Sequence, residues 1–138
     1  MTGIDDDIRW ALTETATWAV VGCSPDPSRD SHRIAALLQR REFRVIPVNP
    51  AADEILGERC HPSLADIREP VDVVDVFRRP SAAGAHVDEA IEIGARGVWL
   101  QLGVLDEGAV IRARAAGLRA VMDRCPAIEL PKLADAAA

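Results

Sequence analysis

The sequence predicts a single α/β domain in three layers, a doubly wound parallel sheet of about five strands with helices on both faces. Three observations predict it. Five short runs of small or branched apolar residues recur along the 138 residues, separated by segments of helical periodicity. The runs are apolar throughout and do not alternate, which marks strands buried on both faces under two helical layers. The connections are helical, and the right-handed crossover rule then favours a doubly wound fold of the dinucleotide-binding kind.

Each element has its own warrant. An opening helix is expected from about Asp5 to Thr13, with Ile4, Ile8 and Leu12 on one face and acids in its first turn. WAVVG (18–22) is the first strand. Asp30 or Ser31 is placed to cap a helix running to about Arg41, with Ile34, Leu37 and Leu38 inward. FRVIPV (43–48) is the second strand, closed by Asn49-Pro50, and AADEILGERCHPSLADI reads as a short helical turn with connections. VDVVDVF (71–77) is the third strand. Ser81, after Pro80, is expected to cap a helix through about Ile93, ended by Gly94. GVWLQLG (97–103) is the fourth strand. Asp106 to Ala116 is helical and stops at Gly117, where a left-handed residue is wanted. LRAVM (118–122) is the fifth strand. PKLADAAA is small and polar enough to fray, so the expected domain is 1–133 and the flexible tail 134–138.

Composition bounds the function. With 16 basic and 22 acidic residues the net charge is −6, which argues against nucleic acid as the main partner, since phosphate contacts need a basic face. No apolar run approaches the ~20 residues of a membrane span. The opening MTGIDDDIRW lacks the basic and apolar regions of a signal peptide, so a cytoplasmic protein is expected. Cys23, Cys60 and Cys125 are an odd set without CxxC spacing and read as reduced, structural thiols. Cys60 and His61 are neighbours whose side chains point apart, so one metal does not take both. All basic residues but Lys132 are Arg, the better side chain for bidentate phosphate contacts.

In a doubly wound sheet, ligands sit beyond the carboxyl ends of the strands, at the switch point beside the first one. That rim collects Gly22, Ser24, Ser28, Arg29 and Ser31 from the first loop, and Asn49 after the second strand. Phe77, Arg78, Arg79, Gln101 and Cys125 complete it. Hydroxyls, guanidinium groups and one Phe suit a nucleotide with phosphates. The nicotinamide reading needs GxGxxG and an acid ending the second strand. The loop has one glycine, and the second strand ends in VNP. The ATP-type GxxxxGK[ST] is also absent. The loop offers another way to hold phosphate. Gly22 lets a ligand approach backbone, Pro25 and Pro27 preset the turns, Ser24 and Arg29 supply a hydroxyl and a forked cation, and the helix beginning near Ser31 supplies free N–H groups.

The phrases VVGCSPDPSRDS, VIPVNP, VDVFRRP, VWLQLGV and VMDRCP stand in the order and spacing of the small stand-alone CoA-binding proteins, which the chain resembles from about Asp5 to Leu133. Those proteins are similar to the amino-terminal domain of the succinyl-CoA synthetase alpha subunit. The resemblance implies a Rossmann-like fold whose rim takes the ADP part of coenzyme A, free or acylated. It implies that Gly22, Ser24 and Arg29 hold the diphosphate, and Cys23 and Ser31 of the same loop are expected among the cofactor-binding residues. Asn49 and Pro50 then line the adenosine side, near where the synthetase domain uses a lysine that this sequence lacks. Phe77 and Arg78 form a further wall, and Gln101 and Gly103 sit where the pantetheine arm leaves. Three positions depart from the pattern. Cys23 replaces a small Ala-like residue, His61 an aromatic, and Glu42 a helix-ending Gly, at a cost on the order of 1 kcal/mol if Glu42 is left-handed.

No catalytic set emerges. The synthetase's phosphorylated histidine lies in a later domain with no counterpart here, so no enzyme is expected. His32, His61 and His86 read as surface residues. Asp72 and Asp75 are three apart in a strand and point to opposite faces, so they are no carboxylate pair. Trp99 reads as core and Phe77 as facing ligand. Cys125, after Arg124 at the rim, is the reactive candidate and could form a mixed disulfide with the thiol of bound CoA. The expected function is a non-catalytic CoA or acyl-CoA binding module, carrier or sensor. The alternatives are a nicotinamide-dependent oxidoreductase and an interaction protein that no longer binds ligand. A sheet edge and the exposed opening helix leave room for a homodimer or another protein partner.

Overall fold

The computed structural model describes residues 3–137. The elements run α1 (Ile4–Thr13), β1 (Thr17–Val21), α2 (Asp30–Arg40), β2 (Arg44–Val48), β3 (Glu54–Ile55), β4 (Glu58–Arg59), a 3₁₀ turn (Leu64–Asp66) and β5 (Val73–Val76). They continue through α3 (Pro80–Glu92), β6 (Gly97–Gln101), α4 (Glu107–Ala115), β7 (Arg119–Arg124) and α5 (Pro126–Ala137). Five strands form one parallel sheet in the order β2-β1-β5-β6-β7. The chain steps from β1 outward to β2, then crosses back to place β5 on the other side of β1. The switch point of this Rossmann-like sheet therefore lies between the carboxyl ends of β1 and β5, at Gly22 and Phe77.

Strand parity divides the core. Val21, Val48, Val74, Val76 and Leu100 face α3 and α4, whose Ala83, Val87, Ala90, Ala109 and Ala113 let those helices lie close. Trp18, Val20, Val73, Trp99 and Val121 face the other layer, where α1, α2 and α5 pack. Bulk sits on this second side: the Trp18 ring lies 5.5 Å from Trp99 and 5.6 Å from Phe43, in tilted and edge-on contacts that suit aromatic pairs.

The structure corrects several local expectations. α1 is not an exposed helix: Ile8, Trp10, Ala11 and Leu12 are buried, and buried Asp7 reaches the Arg114 and Arg119 guanidinium groups at 3.5 and 3.3 Å. Neither Asp30 nor Ser31 caps α2; Arg29 holds the N-cap place and makes no capping bond with its side chain. Ser81 does not cap α3 either, because Pro80 supplies the first helical position with its preset φ and moves the cap to Arg79. The looser segment holds a two-stranded antiparallel hairpin, β3–β4, turned at Leu56 and Gly57 with φ of 54° and 77°. Beyond the fifth strand the structure adds α5. Glu42 is left-handed as its place requires, with φ of 70°.

Candidate functional site

The site is built where β1 ends. Gly22 takes φ of 81°, and a Cβ there would overlap the carbonyl oxygen of Phe77 and lie 3.1 Å from Arg78 Cδ. Only glycine lets the chain leave β1 at this angle while touching the end of β5. The loop that follows is fastened from three sides. Ser24 N donates to Ser31 Oγ at 3.0 Å, Asn49 Nδ2 to the Cys23 carbonyl at 2.9 Å, and His32 Nδ1 lies 3.0 Å from the Ser24 carbonyl. Inside the loop Ser24 Oγ accepts from Asp26 N, and Asp26 accepts from the Ser28 N–H and hydroxyl, bonds that hold the exposed Asp26 carboxyl below its ordinary range. Ser31 is thus spent on the loop, and α2 begins with no side chain over its amide groups. Such an end carries partial positive charge and N–H donors for an anion.

Three adjoining hollows open around this loop. One, of about 580 Å³, is walled by Gly22, Ser24, Ser28, Arg29 and Ser31. A second, of about 220 Å³, shares Gly22 and Ser24 and extends past Asn49, Pro50 and Arg78 to His86 and Glu89. The third, of about 700 Å³, shares Phe77 with the first and Arg78 with the second, and runs between α2 and α5 past Gln101 and Cys125. Its apolar walls include Ile34, Leu37 and Leu130. Among the described residues Arg29 and Arg78 form no ion pair, whereas Arg33 is held by Asp30 and by the Ser28 carbonyl.

Nine of the eleven cofactor-binding residues expected from the resemblance line these hollows: Gly22, Ser24, Arg29, Ser31, Asn49, Pro50, Phe77, Arg78 and Gln101. Two do not. Cys23 is fully buried behind the loop, where burial, with Cys60 and Asp75 nearby, pushes its thiol up to about 12, so it presents only backbone to the rim. Gly103 lies outside the hollows, its N–H donating to Asp123 Oδ1 at 2.7 Å.

The histidines also depart from a surface reading. His32 braces the loop, His86 is half-buried in the second hollow with Glu89 Oε1 at 2.7 Å, and His61 keeps a buried Nδ1 without a partner. Asp72 and Asp75 do point apart. Asp72 accepts from Ala16 and Thr17 N–H and ties β1 to β5, while Asp75 is fully buried with neither carboxyl oxygen bonded among the described residues. Burial alone holds the Asp75 carboxyl well above its ordinary range. Trp99 is core, donating from its indole to the Arg124 carbonyl at 2.9 Å.

A doubly wound sheet whose switch point holds an uncapped helix start has the layout that nucleotide-binding proteins share. Comparison with known proteins narrows it. A family model described as CoA binding domain matches residues 16–131, and the chain belongs to that family. It is 36% identical over 119 residues to the uncharacterized protein YneT of Bacillus subtilis (strain 168), a match covering 86% of this chain and 88% of that one. A solved structure from Thermus thermophilus superimposes with a TM-score of 0.87 at 38% identity, covering 96% of this chain and 99% of the other. The acetate–CoA ligase [ADP-forming] II of Archaeoglobus fulgidus is 31% identical over 93 residues, 65% of this chain but 14% of that enzyme. The five phrases that suggested stand-alone CoA-binding proteins therefore identified the family. Among the described residues no helix is long and apolar enough to cross a membrane.

Proposed function

We propose that the protein binds coenzyme A or an acyl-CoA through its ADP moiety, as a carrier or sensor module without catalysis of its own. One observation carries the reading: the uncapped start of α2, flanked by Ser24 and Arg29, opens into the crevice that Gly22 creates. In this reading the diphosphate takes the α2 amide groups, the Ser24 hydroxyl and the Arg29 guanidinium. The adenosine side turns toward Asn49 and Pro50, where Asn49 already positions the Cys23 carbonyl. Arg78 stands between the second and third hollows as a second cation. The pantetheine arm leaves past Phe77 toward Gln101.

A dinucleotide oxidoreductase is the weaker reading, because Asn49 stands where a ribose-binding acid is needed and the loop lacks two of the three glycines. The three free cysteines suit a reducing compartment such as the cytoplasm.

Arg29→Ala tests the assignment. Arg29 is exposed and makes no side-chain cap, so the fold should survive. Loss of a charge-assisted contact to diphosphate should weaken CoA binding by about 1.5–3 kcal/mol, roughly ten- to a hundredfold. Unchanged affinity by calorimetry would remove Arg29 from the site. Protein purified with its ligand should also carry an adenine absorbance shoulder near 260 nm.

A further inference from the structure

The largest of the three hollows has a thiol in its wall. Of the three free cysteines, Cys23 and Cys60 are buried, while Cys125 is partly exposed in the wall of the 700 Å³ hollow. Cys125 follows β7 and stands at the head of α5, its carbonyl accepting from Ile128 N at 2.9 Å and Glu129 N at 3.0 Å. Gln101 pairs with Arg124, the residue before Cys125, in the register of β6 and β7, and Gln101 and Cys125 both line the hollow.

Gln101 supplies the independent sign of a ligand. It is 7% exposed and lines the hollow, and among the described residues its carboxamide makes no hydrogen bond. A buried carboxamide left unbonded costs about 1–3 kcal/mol, so the wall has a place for a polar partner. The occupant this geometry fits is a slender chain that enters past Phe77, sets an amide group against Gln101, and ends in sulfur beside Cys125.

We propose that Cys125 is a thiol–disulfide exchange site for the terminal thiol of CoA, an inference that rests on the CoA-binding reading above. The co-reactant is a CoA disulfide. The Cys125 thiolate attacks one sulfur of CoA–S–S–CoA; that S–S bond breaks as a new one forms to Cys125 Sγ. One CoA thiolate leaves and takes up a proton equivalent to the one Cys125 gave up. Protein–SH and CoA–S–S–CoA thus become protein–S–S–CoA and CoA–SH: Cys125 is oxidised, one CoA sulfur is reduced, and a free thiol reverses the step. The bound nucleotide anchors the disulfide and raises its effective concentration at the cysteine.

The test is incubation of the reduced, ligand-stripped protein with CoA disulfide at neutral pH under native conditions, read by intact mass and peptide mapping. The expected result is one CoA increment per chain, located on Cys125, removed by dithiothreitol and missing from Cys125→Ser. Pantethine, which has the same arm and disulfide but no nucleotide, should react roughly tenfold or more slowly. Mapping on the wild-type chain reads the site even if the Ser variant folds poorly. No adduct, or an adduct on Cys23 or Cys60, in a protein that still binds CoA by calorimetry, would overturn the exchange site and leave the binding reading intact. Equal rates with pantethine, in a protein that shows no CoA binding, would overturn both.

Discussion

Gly22→Ala is expected to abolish measurable CoA binding and to lower stability by about 2–5 kcal/mol. Two costs combine. A left-handed backbone at 81° strains any residue with a Cβ by about 1–2 kcal/mol. The new methyl must also displace the Phe77 carbonyl, which is strand-end backbone and accommodates poorly, at a further 1–3 kcal/mol or so. Relief by moving the loop would break the Ser24–Ser31 and Asn49–Cys23 bonds that hold the cradle. Gly94→Ala is the control: its φ is 77° but nothing lies within 4 Å of the added Cβ, so only the strain remains. Urea unfolding and calorimetry on both variants check this. A Gly22 variant no worse than the Gly94 variant would contradict the close approach at the switch point.

Asp75→Asn is expected to make the protein more stable relative to wild type as pH rises. The buried Asp75 carboxyl keeps its proton in the fold because burial raises its pKa, whereas in the unfolded chain it ionises in the ordinary carboxylate range. Above that range the unfolded state has released a proton that the native state still holds. Stability therefore falls with rising pH, by up to about 1.4 kcal/mol per unit, until the folded group itself ionises. Asparagine keeps the shape and removes the titration. The two proteins should be closest in stability near about pH 4 and diverge toward pH 7, with the variant ahead, other groups cancelling. Parallel urea-stability profiles from acid to neutral pH would show that Asp75 is charged and partnered in solution.

The sheet and its switch point were legible because unbroken apolar runs report two-sided burial and because loop position follows from topology. The left-handed turn at Glu42 was legible only through the resemblance, whose pattern has a helix-ending Gly at that place. Elements decided by tertiary contact were not. β3 and β4 are two residues each, too short for any periodicity. α5 carries Pro131 inside a helix, a residue that reads as a stop. Without α5, the hollow between it and α2 could not be foreseen, although the strand ends already placed Gln101 and Cys125 on one rim. Alternation showed that Asp72 and Asp75 diverge, but not that the covering helices leave Asp75 without a bond. Cys23 illustrates the same limit: its position in the loop suggested the rim, and only the three-dimensional path turns its thiol into the core. His86 and Glu89, one turn apart on α3, join the site because α3 passes over the end of β1, which local sequence does not announce.

The central claim is tested most directly by titration calorimetry of the ligand-stripped protein with CoA, then with NAD and ATP at the same salt. The account predicts saturable binding of CoA and none, or far weaker binding, of NAD and ATP. Absence of CoA binding in a protein whose circular dichroism shows the fold intact would contradict it, as would tighter binding of NAD, and the loop from Gly22 to Ser31 would then be a structural turn with no ligand to hold.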